Sequence, residues 1–325
     1  MAELDFIHTD EPQIHPGRRK EILARYPQVR ELTGPSRWSF PAVLLMVAAQ
    51  LGIAWFVRDQ PWWVVLLVAY AVGAVLAHGL YVMIHEASHN NVLKGTTRNK
   101  VAAITADLPQ VFPGAIIFRK FHLIHHRQMG ELDNDADIAP AAEARIVGNS
   151  WWRKALWLLF FSASQAARPL KMRHVKAWDR WAVTNFLIVM GVNAAVFFLM
   201  GPLALLYLAV SLFFGLGLHP MGGRWIQEHY VTEPGQETYS YYGAANRLAF
   251  NIGHHVEHHD FMNVNWRNLP KLRKLAPEYY DTLASYRSWT WVVLNFIFNP
   301  KMSPFSRITH PSTSRKREQL RAEPA

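Results

Sequence analysis

Four long stretches without Asp, Glu, Lys or Arg constrain the fold of this chain more than any other feature. They are residues 40–57, 62–84, 181–200 and 202–219. At about 1.5 Å per residue, a helix of each length crosses most or all of a hydrocarbon layer of about 30 Å. The sequence therefore predicts an all-α integral membrane protein, multi-pass, with four transmembrane helices in two hairpins.

The distribution of basic residues predicts the orientation of these helices. The two outer links, residues 58–61 and Gly201, contain only Arg58 among the 34 Lys and Arg residues. Because positive charge marks the cytoplasmic side, both termini and the segment between the hairpins are expected in the cytosol. The membrane is either the endoplasmic reticulum or a bacterial inner membrane. A formal charge of +10 would then face anionic lipid or an acidic protein partner.

The segments outside the four stretches suggest three parts. Residues 1–39 form a cytosolic arm whose helix over 18–26 is either interfacial or solvated. Residues 40–310 form the membrane domain, and residues 311–325 form a disordered basic tail. Within the membrane domain, 100–118 is interrupted by Pro109 and Pro113, so it is expected to be re-entrant or interfacial. Residues 150–170 are expected to lie as a helix in the membrane interface.

Three groups of histidines lie on the predicted cytosolic side. One has the spacing His-x-x-x-His and two have the spacing His-x-x-His-His. The groups are His85 and His89; His122, His125 and His126; and His255, His258 and His259. Residues four apart on a helix share a face, with Cβ atoms about 5–6 Å apart. One metal would need three or four of these nitrogens, so eight argue for two metals in a cytosolic helical cap.

The chain contains no cysteine, which excludes thiolate metal sites and cysteine-ligated iron–sulfur clusters within it. Imidazole is therefore the abundant ligand, and it suits iron, zinc, copper and nickel. His85-Glu86-x-x-His89 also matches the pattern of zinc proteases in which Glu is the general base. An intramembrane HExxH zinc metalloprotease is thus an alternative, although one zinc site needs only one further ligand and leaves most of the other histidines unexplained.

Three separated segments carry a more specific pattern. They are residues 18–27 of the arm, the helix end at 84–90, and a run from 217 to 304 that includes Glu228-His229-Tyr230, the Tyr-rich segment 237–243 and Glu257-His258-His259-Asp260. With the histidine spacings, they resemble the membrane-bound fatty acid desaturase superfamily and, within it, the sphingolipid delta-4 desaturases, or dihydroceramide desaturases. The arm and the Tyr-rich segment point to the sphingolipid branch. Val256, His254 and Met262 depart from the pattern beside the predicted metal site.

The resemblance implies an oxidoreductase with a non-haem diiron centre, that is, two Fe ions, and O2 as co-substrate. The reaction implied is introduction of a 4,5-trans double bond into the sphinganine base of dihydroceramide-like lipids in the bilayer. C4-hydroxylation of the same substrate and desaturation of an acyl lipid are the alternatives. The metal ligands implied are His85, His89, His122, His125, His126, His229, His255, His258 and His259.

Partners follow from the same resemblance. No haem-binding domain is fused to the chain, so an external electron donor is implied, either a cytochrome b5-like protein or a ferredoxin with its reductase. No nucleic acid partner is expected.

Several polar residues near the histidines are candidates to orient the ring nitrogens that do not bind metal. They are Glu86, Asn90, Glu228, Glu257, Asp260 and Asn263. The acidic run 131–137 is interpreted as a solvated loop in which one carboxylate could orient a histidine. The remaining histidines are expected outside the site. His8, His15, His174 and His310 would lie at the surface, His78 would contact a lipid headgroup or a neighbouring span, and His219 and His254 are unassigned.

Overall fold

Helices form nearly all of the regular structure in this computed structural model, which describes residues 5–312. In chain order they are α1 (Ile14–Arg25), α2 (Ser39–Val57), α3 (Trp62–Ser88), α4 (Thr96–Asp107), α5 (Ala115–His125), α6 (Ala141–Val147), α7 (Trp151–Leu159), α8 (Phe161–Ala167), α9 (Arg180–Met200), α10 (Pro202–Gly215), α11 (Gly223–His229), α12 (His255–Asp260), α13 (Leu269–Leu275) and α14 (Trp289–Phe298). Short 3-10 turns cover Pro27–Leu32, Arg168–Lys171, Pro220–Gly222, Ala244–Arg247 and Pro277–Tyr279.

Two pairs of very short strands complete the structure. β1 (Ile7–His8) pairs in parallel with β4 (Ile308–Thr309), and β2 (Ser240–Tyr241) pairs in parallel with β3 (Ser285–Tyr286). The first pair joins the arm to the last described part of the chain. The predicted tail over 311–325 lies, apart from its first two residues, outside the described residues.

Within the described chain, three helices are long and apolar enough to cross a membrane, namely α2, α3 and α9. The last charge-free stretch differs from the prediction of one straight span. Helix α10 ends at Gly215, and the chain bends by 42° between α10 and the segment Pro220–His229, so the two together form at most a fourth, broken span. His219 precedes a proline and has extended backbone (φ −147°, ψ 156°), because a following proline disfavours the helical region. The prediction of a helical membrane protein is confirmed, with three to four spans.

Small residues bring α3 and α10 into close contact. A π-helical turn in α3, Ala69–Gly73, lies where the two helices touch. A Cβ atom added at Gly73 would lie 2.0 Å from Ser211 Oγ, and one at Gly215 would lie 2.6 Å from the Ala74 carbonyl oxygen. His78 Nδ1 lies 2.9 Å from the Gly215 carbonyl oxygen. His78 therefore contacts a neighbouring membrane helix, which is one of the two expectations for it.

We expect Gly215→Ala to destabilise the protein by about 1–3 kcal/mol, because the added methyl group would force α3 and α10 apart. Gly191→Ala is the matched control, since a Cβ there meets nothing within 4 Å on the exposed side of α9. Thermal unfolding of the two variants in the same detergent measures the difference. Equal midpoints for Gly215→Ala and the unmodified protein would show that this contact adapts without cost.

Helices α4 and α5 carry the chain from α3 toward its second histidine group. The buried Asp107 carboxylate accepts from the Ala115 backbone N–H at 3.1 Å and from Asn185 Nδ2 of α9 at 2.8 Å. Arg119 Nη1 donates to the Ala87 and Ser88 carbonyl oxygens at 2.5 and 2.6 Å. A guanidinium satisfies the last carbonyls of α3 in this way. The end of α3 is thereby fixed beside α5.

The segment 150–170 forms two helices, α7 and α8, where one was predicted. Large apolar side chains on α7 are exposed, as on α14, and Trp151 stacks on Phe298 at 6.2 Å between ring centroids. The Lys154 ammonium of α7 is buried against the end of α14, where it donates to the Asn299 and Met302 carbonyl oxygens. Exposed tryptophans such as these suit a membrane interface.

The arm is neither solvated nor an isolated interfacial helix. Helix α1 begins at Ile14, four residues before the predicted start, and packs on α12. Ile22 and Val29 are completely buried in a cluster with Val256, Phe261 and Leu272. The arm therefore forms part of the wall around the third histidine group.

Candidate metal centre

Four helices deliver the predicted histidines to one place. His85 and His89 are at the end of α3, His122, His125 and His126 are at the end of α5, and the third group is on α12. His229 ends α11. Two clusters result, in each of which one ring nitrogen per residue lies within 4.8 Å of all the others. The larger cluster is His85, His89, His122, His126 and His258, and the smaller is His125, His229 and His259.

Ring nitrogens within these clusters are close enough to share one cation. The Nε2 atoms of His89 and His122 are 2.8 Å apart, and that of His126 is 3.1 Å from both His122 Nε2 and His258 Nε2. His255 lies outside the 4.8 Å clusters, but its Nε2 is 3.0 Å from His229 Nε2. The nine predicted histidines are thus brought together, each cluster combining rings from separate histidine groups.

The two clusters are neighbours. The His126 and His259 rings, one from each cluster, stack with centroids 4.3 Å apart. The centroids of His125 and His259 are 5.2 Å apart and those of His125 and His229 are 4.9 Å apart. An arrangement of this kind has room for two metal ions side by side.

Burial keeps several of these imidazoles neutral. It lowers the pKa of His258 to about 3, and it holds the pKa values of His126 and His259 well below their ordinary value, with neighbouring imidazoles adding to the effect. A neutral imidazole keeps a lone pair for a metal. Two Nε2 atoms about 3 Å apart can share only one proton, so a cation satisfies a chain of such contacts better than hydrogen bonds do. The residues therefore fit metal ions.

Asp135 holds one of the histidines. Its Oδ1 lies 2.9 Å from His125 Nδ1, and its two oxygens also accept from the Gly130 and Asp137 backbone N–H groups. Burial lowers the pKa of an imidazole, but Asp135 outweighs it and raises the pKa of His125. The acidic run is therefore folded into the site, which corrects the interpretation as a solvated loop. The suggestion that one carboxylate of this run orients a histidine agrees with the structure, since Asp135 is completely buried and lies against His125.

Two of the six proposed orienting residues lie against predicted ligands. Glu228 Oε1 is 3.4 Å from His255 Nδ1 and accepts from Arg224 Nη1 at 2.7 Å. Glu86 Oε1 is 3.8 Å from His85 Nδ1, and its Oε2 accepts from the Trp266 backbone N–H at 3.0 Å. Glu86 is completely enclosed and held by that backbone contact, unlike the general base of an open zinc-protease site.

The other four have different partners. Glu257 lies 2.8 Å from His254 Nδ1 and accepts from Ser240 and Tyr242, so it holds His254 and the strand β2. Asn90 Oδ1 accepts from Arg119. Asn263 is exposed at the surface, and its role as an orienting group stays a prediction. These positions were chosen by proximity in sequence, whereas contact depends on side-chain direction.

Asp260 contacts a histidine that sequence reasoning placed at the surface. Its Oδ1 is 2.6 Å from His15 Nδ1, while Thr238 Oγ1 is 3.0 Å from His15 Nε2, and His15 is only 6% exposed. The His15 ring is 5.1 Å from that of His259. His310, also expected at the surface, has a partner as well, since its Nε2 lies 2.9 Å from Glu237 Oε2. Neither histidine has a ligand-like spacing in sequence, so no signal in the sequence pointed to these contacts.

The two histidines left unassigned have their own partners. His219 Nδ1 accepts from the Met221 backbone N–H at 3.1 Å and its ring packs on Tyr70. His254 pairs with Glu257, as described above.

Two cavities reach the histidines from different sides. The first is a mostly apolar cavity of about 200 Å³, and its wall includes Tyr81, Phe118 and Trp225 together with His85, His122, His125, His229 and His255. The second is walled by the arm residues Gln13, His15 and Arg19 and reaches His126 and His259. Hydrocarbon can thus approach both clusters through one cavity, while polar groups meet them through the other.

Sequence comparisons agree with this geometry. Residues 61–290 match the fatty acid desaturase family, and residues 2–38 match the sphingolipid Delta4-desaturase family. A protein of Oryza sativa subsp. japonica named sphingolipid delta(4)-desaturase DES1-like is 42% identical over 301 residues, covering 93% of this chain and 90% of the relative. A sphingolipid delta(4)-desaturase/C4-monooxygenase of Homo sapiens is 41% identical, covering 94% of each chain. A sphingolipid delta(4)-desaturase of Xenopus tropicalis is 37% identical with the same coverage.

Proposed function

The chain belongs to the fatty acid desaturase family and to its sphingolipid delta(4)-desaturase branch, and from that membership we propose the reaction that it catalyses. It is an oxidoreductase that introduces a 4,5-trans double bond into the sphinganine base of dihydroceramide-like lipids. The observation that carries this proposal is the convergence of nine histidines beside a mostly apolar cavity, whose wall includes five of them.

The histidines hold two iron ions in this proposal. His85, His89, His122, His126 and His258 surround one position, and His125, His229 and His259, with His255 beside them, surround the other. Iron with imidazole ligands and open positions supplies the activation of molecular oxygen. Overall, one hydrogen leaves C4 and one leaves C5, and these with two electrons and two protons reduce O2 to two molecules of water.

The protein's own residues position the substrate and the ligands. The cavity wall holds a hydrocarbon segment against the histidines and excludes water from it. Asp135 holds the His125 ring and Glu228 lies against the His255 ring, each through Nδ1, so that the opposite nitrogen faces the cluster. Arg224 in turn holds Glu228.

The proposed orientation places both termini and the histidine clusters on the cytosolic side, with the α10–α11 pair as the fourth span. Electrons then come from an external cytochrome b5-like protein or a ferredoxin with its reductase. The second cavity supports this, because it brings His126 and His259 toward the surface beside Arg19. A donor with an acidic face would be steered to the formal charge of +10.

C4-hydroxylation of the same lipid is the second candidate. The human relative carries both activities in its name. Both reactions begin by removing a hydrogen from C4, so the same cavity would serve either. An acyl-lipid desaturase is the further alternative.

We expect membranes that contain the protein and a reductant to convert dihydroceramide into a product with a 4,5-trans double bond, and the purified protein to contain about two irons per chain. Mass spectrometry of the lipids and elemental analysis measure these. Chelation of the iron should remove activity, and added iron should restore it.

A 4-hydroxy product would favour the hydroxylase, and a double bond only in a fatty acyl chain would favour the acyl-lipid alternative. One zinc per chain with peptide cleavage would replace the proposal with a protease.

A further inference from the structure

Tyr81 lies in the wall of the apolar cavity next to the histidines. It is four residues before His85 on α3, so the two side chains share a helix face, and both line the cavity. The Tyr81 ring is packed edge-on against Phe118, with centroids 4.9 Å apart, and against Trp225 at 5.6 Å. Phe118 in turn stacks on His122 at 4.9 Å. Packing on two sides fixes the direction of the phenol ring close to the larger histidine cluster.

The Tyr81 hydroxyl has no hydrogen-bond partner among residues 5–312. Other interior tyrosines do have partners, since the hydroxyl of Tyr207 donates to Gln50 Oε1 at 2.7 Å and that of Tyr242 donates to Glu257 Oε1 at 2.9 Å. Tyr81 is partly exposed, and it lines the cavity. A polar hydroxyl in an otherwise apolar wall is unfavourable beside pure hydrocarbon and favourable beside a polar group of a ligand.

One charged group lies beside Tyr81. The Arg224 guanidinium carbon is 5.7 Å from the centroid of the Tyr81 ring, and Arg224 lines the same cavity. The lining as a whole is mostly apolar. A ligand that carries a hydrocarbon chain and a few polar groups therefore matches this cavity, with Tyr81 and Arg224 placed to meet the polar groups.

We propose that Tyr81 is a specificity-determining residue whose hydroxyl hydrogen-bonds a polar group of the lipid close to the carbons that are oxidised. This inference rests on the proposed function. In a dihydroceramide the C3 hydroxyl is on the carbon next to C4, and the amide nitrogen is on C2. A mid-chain position of a fatty acyl group has no polar atom so near. Tyr81 thus favours a long-chain base over a plain acyl chain, because the acyl chain leaves the phenol unpaired.

The test uses Tyr81→Phe, which removes one oxygen atom and keeps the ring. The full-length protein in membranes with its reductant is assayed on dihydroceramide, on an analogue without the C3 oxygen, and on an analogue with a methylated amide nitrogen. We expect Tyr81→Phe to lower kcat/KM for dihydroceramide about 3–10-fold, as loss of one hydrogen bond predicts. It should leave kcat/KM unchanged for whichever analogue lacks the group that Tyr81 binds, and this outcome tells the C3 hydroxyl from the amide.

Tyr70→Phe is the matched control, because Tyr70 is on the same helix with 39% of its surface exposed. It should leave all three kcat/KM values unchanged. Iron content equal to that of the unmodified protein shows that Tyr81→Phe folds. If the unmodified protein desaturates dihydroceramide but Tyr81→Phe lowers all three values equally, or none of them, the role of Tyr81 is overturned and the proposed function stands. If the unmodified protein oxidises only plain acyl chains, both proposals are overturned.

Discussion

Replacing His258 with alanine is expected to abolish lipid oxidation while the protein still inserts into the membrane. His258 is completely buried, and its ring centroid is 4.4 Å from that of His85 and 4.7 Å from that of His89. It joins α12 to the end of α3, so its loss removes one of the five proposed ligands of the larger cluster. Loss of an outer-shell partner alone costs about 10–100-fold in metal affinity or activity, so we expect at least about a 100-fold loss here. Product analysis and iron content of the solubilised protein measure it.

His174→Ala is the control for this experiment. His174 is exposed and far in sequence from every group of the site, so its variant should match the unmodified protein in turnover and in iron content. Turnover retained by His258→Ala would contradict the role of His258 as a ligand. If His258→Ala does not insert into the membrane, His258→Gln replaces it as the test variant, because glutamine keeps a polar side chain at this position.

Asp135→Asn is expected to lower activity and iron affinity by about 10–100-fold. The amide that replaces the carboxylate has no negative charge to hold the proton on His125 Nδ1, and it presents only one oxygen, whereas Asp135 now accepts through both. The ring of His125 then loses its fixed orientation toward the smaller cluster. Turnover at rising iron concentrations measures the affinity, because a weakened site should recover part of its activity at high iron.

Asp133→Asn makes the same chemical change two residues earlier, where the side chain is exposed. It should leave iron affinity unchanged. If Asp133→Asn and Asp135→Asn have the same effect, the charge of the acidic run matters and the contact with His125 does not.

Local composition predicted most of the membrane part of the fold. Helix α9 spans Arg180–Met200, against a prediction of 181–200, and α2 spans Ser39–Val57, against 40–57. The break after Gly215 lies at Gly217 and Pro220, whereas the absence of charge by itself predicts one straight span there. Helix α1 could not be placed in the same way. Its basic residues suit water or a lipid surface equally, and only its apolar partners on α12 and α13 decide where it packs.

The candidate site shows the same division. Histidine spacing identified eight of the nine histidines that the structure brings together, because ligand type and helical periodicity are local properties of the chain. The family resemblance added His229. The sequence suggested one orienting carboxylate in the run 131–137 but did not single out Asp135, because its contact with His125 depends on how that loop folds. It did not predict the contact of His15 either, because the partner, Asp260, is 245 residues away in the chain.

The sequence by itself determined that the chain is a helical membrane protein, that imidazoles are the groups available to hold the proposed metals, and which family it belongs to. The tertiary structure alone decided which rings share a cluster and which carboxylates hold them. It also decided that the phenol of Tyr81 faces a cavity and has no hydrogen-bond partner in the described part of the chain. The physical reason is that charge-free length and residue spacing act within one helix, whereas a cluster forms only where the ends of several helices meet at distances of a few ångströms.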